Sequence, residues 1–104
     1  MNIIITGAGG FVGQELARFF AADHQVTALT HAALDITDRE ALTGFIGRAR
    51  PDVVINAAAH TNVDAAETDQ NAAYQLNAVA PRNLAIATSE HGIPLVQVST
   101  DYVF

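Results

Sequence analysis

A glycine-containing turn that follows a β-branched run constrains the fold of this chain more than any other segment. Asn2–Thr6 is short and rich in isoleucine, which is typical of a buried parallel strand. Gly7, Gly10 and Gly13 follow it in the spacing G-x-x-G-x-x-G and lead into a helical pattern. In such a strand–turn–helix unit, the first glycine permits a tight turn and the third lets the helix pack on the strand. The chain is therefore predicted to begin with a βαβ unit.

Three further runs of similar length and composition alternate with helical patterns along the chain. They are Gln25–Leu29, Asp52–Asn56 and Pro94–Ser99. Because crossovers between parallel strands are right-handed and successive strands usually pair, we expect an α/β, Rossmann-like, doubly wound parallel sheet. Its predicted strand order is 3-2-1-4, truncated after the fourth strand.

The helical patterns carry their own start and stop signals. Thr37–Glu40 is a capping box that begins the second helix, and Pro51 stops it. Pro81 lies inside the helical pattern of the third crossover and removes a backbone hydrogen bond, so we expect a kink or a break there. The predicted sheet-facing residues are Val12, Leu16, Phe19 and Phe20 in the first helix and Leu42, Phe45, Ile46 and Ala49 in the second. The predicted helix ends in the third crossover are Asn62, Glu67, Asp69 and Gly92.

Composition limits the classes of function. The chain has 104 residues, of which 50% are hydrophobic, enough to bury the core of one small domain. Its five basic residues are all arginines and face eleven acids, and the net charge of −6 argues against a nucleic-acid partner. The absence of cysteine excludes a disulfide scaffold and a thiolate zinc site. No apolar run approaches the roughly 20 residues of a membrane span and no leader is evident, so we expect a soluble, cytoplasmic protein without a membrane partner.

The glycine turn also predicts a phosphate site. At Gly10 the backbone can be approached closely by a pyrophosphate, and the amides of Phe11 and Val12 lie at the start of the first helix. Because the chain has no lysine, bound phosphates would be held mainly by these backbone groups. The alternative is a turn that is rich in glycine only for its backbone geometry.

Four further segments, together with the glycine turn, resemble the dTDP-4-dehydrorhamnose reductase family of extended short-chain dehydrogenases. They are Leu34–Asp38, Asp52–Asp64, Leu76–Ala85 and Ser99–Phe104. The resemblance covers the whole chain, and its last segment is the most specific. It implies that residues 1–104 are the N-terminal part of an NAD(P)-binding domain. The parent enzyme would transfer a hydride from NAD(P)H to the C4 carbonyl of a dTDP-6-deoxyhexulose and form dTDP-rhamnose.

The resemblance also implies cofactor contacts. Asp35 would accept a hydrogen bond from the adenine amine, with Ile36 beside the ring, unless Asp35 only prepares the following helix. Thr30 and His31 follow the second strand, where an acid favours NAD and an arginine favours NADP. Both residues can donate to a phosphate, so we expect use of both cofactors with a slight preference for NADP. The alternative for His31 is a solvated loop residue. The residues expected to line the dinucleotide are Ala57, Ala58 and Ala59.

Substrate contacts and catalysis follow from the same resemblance. Thr100 would stand beside the substrate carbonyl as a catalytic hydroxyl. The residues expected to border the sugar nucleotide are Thr61, Val63, Asp101 and Tyr102. Alternatively, Thr61 and Val63 belong to an ordinary loop and Tyr102 is a packing aromatic. The family's Tyr-x-x-x-Lys pair cannot occur in a chain without lysine, so we expect no catalysis from these residues alone.

Other functions and assemblies stay open at this point. One is a non-catalytic nucleotide-binding subunit that resembles the regulatory subunit of methionine adenosyltransferase, and another is a reductase that forms a different deoxysugar. The edge strand Pro94–Ser99 or the alanine-rich helix is expected to support a homodimer. In some relatives an acid near the first helix binds magnesium at the dimer contact. Glu15 lies at a comparable position, although a glutamate that faces solvent is the default.

Overall fold

Parallel strands alternate with helices in a computed structural model that describes residues 1–30, 33–57 and 79–98. The described elements, in chain order, are β1 (Asn2–Thr6), α1 (Phe11–Phe20), β2 (Gln25–Leu29), α2 (Arg39–Ala49), β3 (Val53–Asn56), α3 (Ala80–Glu90) and β4 (Leu95–Gln97). The four strands therefore lie where the sequence predicts them, although β3 lacks the first of its five predicted residues and β4 is Leu95–Gln97 where Pro94–Ser99 was predicted. Within these ranges, none of the helices has the length and apolar character that crossing a membrane requires.

The strands form one parallel sheet in the order β2-β1-β3-β4. The α/β, doubly wound class is confirmed, but the predicted strand order 3-2-1-4 is wrong because β3 pairs with β1 and not with β2. The burial of β2 explains the difference, since a strand between β1 and β3 would be covered on both faces, whereas each residue of β2 is partly or fully exposed. β2 is only partly covered, as expected of an edge strand.

The chain moves from β1 outward to β2 and then back past β1 to β3. Because each crossover is right-handed, this reversal places the helices on opposite faces of the sheet. One face carries α1, which packs on Ile3, Ile5 and Ile55. The other carries α2 and α3. Its core residues are Ile4, Ile36, Leu42, Ile46, Val54, Ala80, Leu84 and Ala87.

The sheet-facing stripe of α1 is rotated from the predicted one. Leu16 and Phe20 pack on the sheet as expected. Val12 and Phe19 are 45% and 73% exposed, so the prediction that they are buried is wrong. Close packing of Gly13 against the glycine turn rotates the helix, and the buried stripe becomes Gly13, Leu16, Ala17 and Phe20.

The start of α2 differs from the predicted capping box by one residue. Asp38 is the N-cap, and its carboxylate accepts a hydrogen bond from the amide of Ala41 at 3.2 Å. Thr37 is not the cap because its hydroxyl and its amide both donate to Asp35 Oδ1, at 2.6 and 2.9 Å. The helix ends before Pro51 as predicted. Its predicted buried face is confirmed: Leu42, Phe45, Ile46 and Ala49 all contact the core.

The described part of the third crossover begins at α3. Pro81 lies in the first turn of this helix, where the missing amide proton costs no helical hydrogen bond. Gly92 follows the helix with φ of 66°, and Ile93 donates to the carbonyl of Thr88 at 2.9 Å, as in a Schellman motif. The predicted stop at Gly92 is confirmed. The other predicted helix ends, Asn62, Glu67 and Asp69, lie outside the described residues.

Candidate functional site

The glycine turn lies at the carboxyl end of the central strand. The chain leaves β1 there between its two neighbours, β2 and β3. The connection after β1 runs to β2 on one side, and the connection after β3 runs to β4 on the other, so the carboxyl ends of β1 and β3 flank the topological switch point of the sheet. Ligands of open α/β sheets bind in the crevice at this point.

Two of the three glycines have roles that the structure defines. Gly7 has φ of 74°, which side-chain-bearing residues rarely adopt. A Cβ on Gly13 would overlap the carbonyl oxygen of Gly7 and lie 2.8 Å from Cα of Ala8. The first glycine therefore makes the turn and the third lets α1 approach it, as predicted. A Cβ on Gly10 would meet only ordinary contacts, so the fold itself leaves room there.

The first turn of α1 is suited to an anion. Gly10 is the N-cap, no side chain caps the helix, and the first turn contains no acid. The amides of Phe11 and Val12 thus stand at the positive end of the helix dipole without a carboxylate to compensate it. Phe11 is 79% exposed, which leaves this end of the helix open to solvent.

The end of β2 borders the glycine turn. The methyl group of Thr30 lies 3.7 Å from the position of a Cβ on Gly9. The hydroxyl oxygen of Thr30 accepts a weak hydrogen bond from the amide of Ala33 at 3.4 Å. Thr30 therefore lies beside the glycine turn, and its contact with the ribose of a dinucleotide stays a prediction.

The loop that follows β2 is anchored to α3. Asn83 is 5% exposed, and its Nδ2 donates to the carbonyl oxygens of Ile36 and Thr37 at 3.2 and 3.1 Å. The side chain of Ile36 lies in the core and the residue as a whole is only 3% exposed, so its place beside an adenine ring stays a prediction. The Asp35 carboxylate accepts hydrogen bonds from the amide and the hydroxyl of Thr37, which favours the interpretation that Asp35 prepares the following helix. The contact between Asp35 and the adenine stays a prediction.

The end of β3 is joined to β1. The amide of Ala57 donates to the carbonyl of Thr6 at 2.9 Å, which fixes the first of the three alanines beside the turn. The remaining predicted site residues lie outside the described ranges: His31, Ala58, Ala59, Thr61, Val63, Thr100, Asp101 and Tyr102.

A row of polar side chains crosses the sheet at the carboxyl ends of β1, β3 and β4. The sequence analysis did not predict it. The Thr6 hydroxyl donates to Asn56 Oδ1 at 2.7 Å, and Asn56 Nδ2 donates to Gln97 Oε1 at 2.8 Å. The signal in the sequence is slight: Thr6 and Asn56 each end an apolar run, and Gln97 interrupts a third.

Charged groups are sparse at this edge of the described structure. Glu15 forms an ion pair with Arg18 at 2.8 Å on the exposed side of α1. Within the described ranges, no three His, Asp or Glu side chains converge as metal ligands would. A groove of about 510 Å³ lies at the amino ends of β3 and β4, between residues 50–52 and 90–94. It is separate from the glycine turn, which lies at the carboxyl end of β1.

Comparison with known proteins agrees with this geometry. The family model described as "RmlD substrate binding domain" matches residues 1–104. The dTDP-4-dehydrorhamnose reductase of Mycolicibacterium smegmatis is 52% identical over 99% of this chain and 31% of its own length. The enzyme of the same name from Burkholderia thailandensis is 49% identical over the whole chain and 35% of its own length.

Solved structures show the same fold. A dTDP-4-dehydrorhamnose reductase from Clostridium acetobutylicum superimposes with a TM-score of 0.90 and 44% identity, over 100% of this chain and 38% of that one. The reductase of Bacillus anthracis, solved in complex with NADP, gives a TM-score of 0.89 and 38% identity over 99% of this chain and 37% of that one. The chain spans about a third of the length of the curated relatives it matches. By the family model and these identities, the chain belongs to the RmlD family, whose curated members include dTDP-4-dehydrorhamnose reductases.

Proposed function

We propose that this chain is the N-terminal NAD(P)-binding part of a dTDP-4-dehydrorhamnose reductase. The observation that carries the proposal is the glycine turn at the switch point, where Gly13 packs on Gly7 and the first turn of α1 is not capped by a side chain. The relatives' names and the NADP complex of the Bacillus anthracis protein support it.

The cofactor would be held mainly by backbone. The pyrophosphate would accept hydrogen bonds from the amides of Phe11 and Val12, which compensates for the absence of lysine. Thr30 would face the adenine ribose, and Asp35 the adenine. Because neither an acid nor an arginine follows β2 directly, NADP is slightly favoured and NAD is also accepted.

The chemistry proposed for the parent enzyme is reduction of a dTDP-4-keto-6-deoxyhexose. When bound, NAD(P)H supplies the hydride. Thr100 would donate a hydrogen bond to the substrate carbonyl, and Asp101 and Tyr102 would contact the sugar nucleotide. This sequence has no Tyr-x-x-x-Lys pair, so we propose that the chain binds cofactor without turnover.

The open side of the sheet supports the proposed homodimer. Among the described strands, β4 pairs only with β3, and Val96 on it is 48% exposed. An exposed strand edge with an apolar side chain favours pairing with a second copy. Sedimentation velocity over a range of concentrations tests this, since a single monomeric species throughout would contradict it.

Calorimetric titration of the purified chain with NADP⁺, NAD⁺ and dTDP tests the proposed function. We expect saturable 1:1 binding of both dinucleotides, with NADP⁺ the tighter ligand. A folded chain that binds dTDP but neither dinucleotide would overturn the proposal and favour the substrate role named in the family description. In an absorbance assay with dTDP-4-dehydrorhamnose, NADPH consumption above the buffer rate would contradict the proposed inactivity.

A further inference from the structure

The polar row at the carboxyl edge of the sheet is a continuous chain of hydrogen bonds. It passes from the Thr6 hydroxyl through the Asn56 amide to the Gln97 amide. Gln97 Nε2 then points to the carbonyl oxygen of Pro81, at 3.5 Å. The row therefore connects three strands to the first turn of α3.

Strand register explains why these three residues meet. Thr6 is the Cα partner of Asn56 in the β1–β3 pair, and Asn56 is the partner of Gln97 in the β3–β4 pair. Ile4 and Val54 precede the first two by two residues and lie in the core under α2 and α3. Since side chains two residues apart share a face, the row continues this core toward the site.

The carbonyl of Pro81, at the end of the row, determines which atoms of the Gln97 and Asn56 amides donate and which accept. The carbonyl of Pro81 can only accept a hydrogen bond, so Gln97 must turn its Nε2 toward it and its Oε1 toward Asn56. Asn56 is then the donor to Gln97 and the acceptor for Thr6. Thr6 and Asn56 are both 2% exposed, and buried amides in such networks have little freedom to reorient.

Each member of the row precedes a segment of the proposed site by one to three residues. Thr6 precedes Gly7 of the glycine turn, and Asn56 precedes the alanines that begin at Ala57. Gln97 is three residues before Thr100. We propose that Asn56 is a positioning residue, whose amide sets the spacing between the glycine turn and the ends of β3 and β4. The proposal rests on the proposed nucleotide-binding function.

Binding of NADP⁺ by the full chain tests this role. In Thr6→Val and Gln97→Met, one end of the row loses its hydrogen bond while side-chain size is nearly kept. We expect each change to raise the Kd for NADP⁺ about 10-fold, comparable to weakening one hydrogen bond to a phosphate. Thr6→Ser keeps the hydroxyl and is expected to bind like the wild type. The matched control is Gln25→Met, which removes an exposed amide from β2 at the other end of the sheet and should leave Kd unchanged.

The double variant separates positioning from local damage. Thr6 and Gln97 lie two strand spacings apart, about 10 Å, and share Asn56 as partner. A row that acts as a unit predicts that Thr6→Val with Gln97→Met raises Kd by less than the product of the single effects. Titrations are made well below the melting temperature of each variant, so that a change in stability alone does not alter Kd.

The outcomes distinguish the two proposals. If the wild type does not bind NADP⁺, the proposed function fails. If the wild type binds but Gln97→Met binds equally well, or if the two changes multiply, the positioning role of Asn56 is refuted. Should Thr6→Val fail to fold, Gln97→Met against Gln25→Met decides, because both of these amides are exposed.

Discussion

Gly13 lies directly against the carbonyl group of Gly7, six residues earlier in the chain. A Cβ on Gly13 would overlap the Gly7 carbonyl oxygen, and it would also lie 2.8 Å from Cα of Ala8. The partner atoms belong to the backbone of a turn and cannot rotate away. This contact sets the distance between α1 and the carboxyl end of β1, and with it the position of the first-turn amides.

Gly13→Ala is therefore expected to destabilise the chain. Alanine favours a helix interior by about 1 kcal/mol over glycine, but overpacking against a rigid backbone costs about 1–3 kcal/mol. The free energy of unfolding in urea should therefore fall by up to about 2 kcal/mol, the difference between these two terms. Gly44→Ala is the matched control. Its Cβ would meet only the flexible end of Arg48, at 3.3 Å, so this change should stabilise by about 0.5–1 kcal/mol. Equal effects at both positions would show that the contact at Gly13 does not limit the fold.

Gly10→Ser should separate stability from ligand affinity. Gly10 is the N-cap of α1 with φ of −83° and ψ of 170°, an extended conformation that serine readily adopts. A serine hydroxyl there would accept from the amides of the first turn, so stability should stay equal or rise by a few tenths of a kcal/mol. The same hydroxyl competes with a phosphate, and we expect the Kd for NADP⁺ to rise about 10-fold. Unchanged affinity would contradict the placement of the pyrophosphate at this helix end.

Asn83→Leu should loosen the loop between β2 and α2. The carbonyls of Ile36 and Thr37 lose the donor that Asn83 Nδ2 provides, which costs about 1–3 kcal/mol when such groups are buried. Thr88→Val is the control on the same helix. The Thr88 hydroxyl donates at 2.8 Å to the carbonyl of Leu84, which the helix already pairs, so its loss leaves no acceptor without a donor and should cost only about 0.5–1 kcal/mol. Equal costs in urea unfolding would refute the anchoring role of Asn83.

Asp38→Ala measures how much the observed N-cap of α2, Asp38 in place of the predicted Thr37, contributes to stability. The Asp38 carboxylate accepts from the amide of Ala41, so its loss should cost about 1 kcal/mol, whereas Asp38→Asn should be nearly neutral. Faster amide hydrogen exchange at Ala41 in the alanine variant would identify the affected turn. A cost that appears in Thr37→Val but not in Asp38→Ala would restore the capping box at Thr37.

Local patterns predicted the elements well, and long-range pairing limited the rest. Asn2–Thr6 and Gln25–Leu29 were predicted with their observed ends because strand composition and the glycine turn are properties of short segments. The strand order depends on which edge of β1 accepts β3, a choice that no single segment contains. The contact between Asn56 and Gln97 was missed for the same reason, since it exists only once the register of β3 and β4 is known.

Thr30→Asp tests the end of β2 as the determinant of cofactor preference. The Thr30 methyl lies 3.7 Å from the Cβ position of Gly9, so a carboxylate at this site would stand beside the glycine turn. An acid there favours free ribose hydroxyls and repels a 2′-phosphate. Thr30→Asp should therefore raise the Kd for NADP⁺ at least about 10-fold and leave the Kd for NAD⁺ equal or lower. Thr30→Val keeps the shape of the side chain without the charge, and it should weaken NADP⁺ binding only slightly. If the aspartate weakens both dinucleotides equally, Thr30 does not contact the part of the ribose in which they differ.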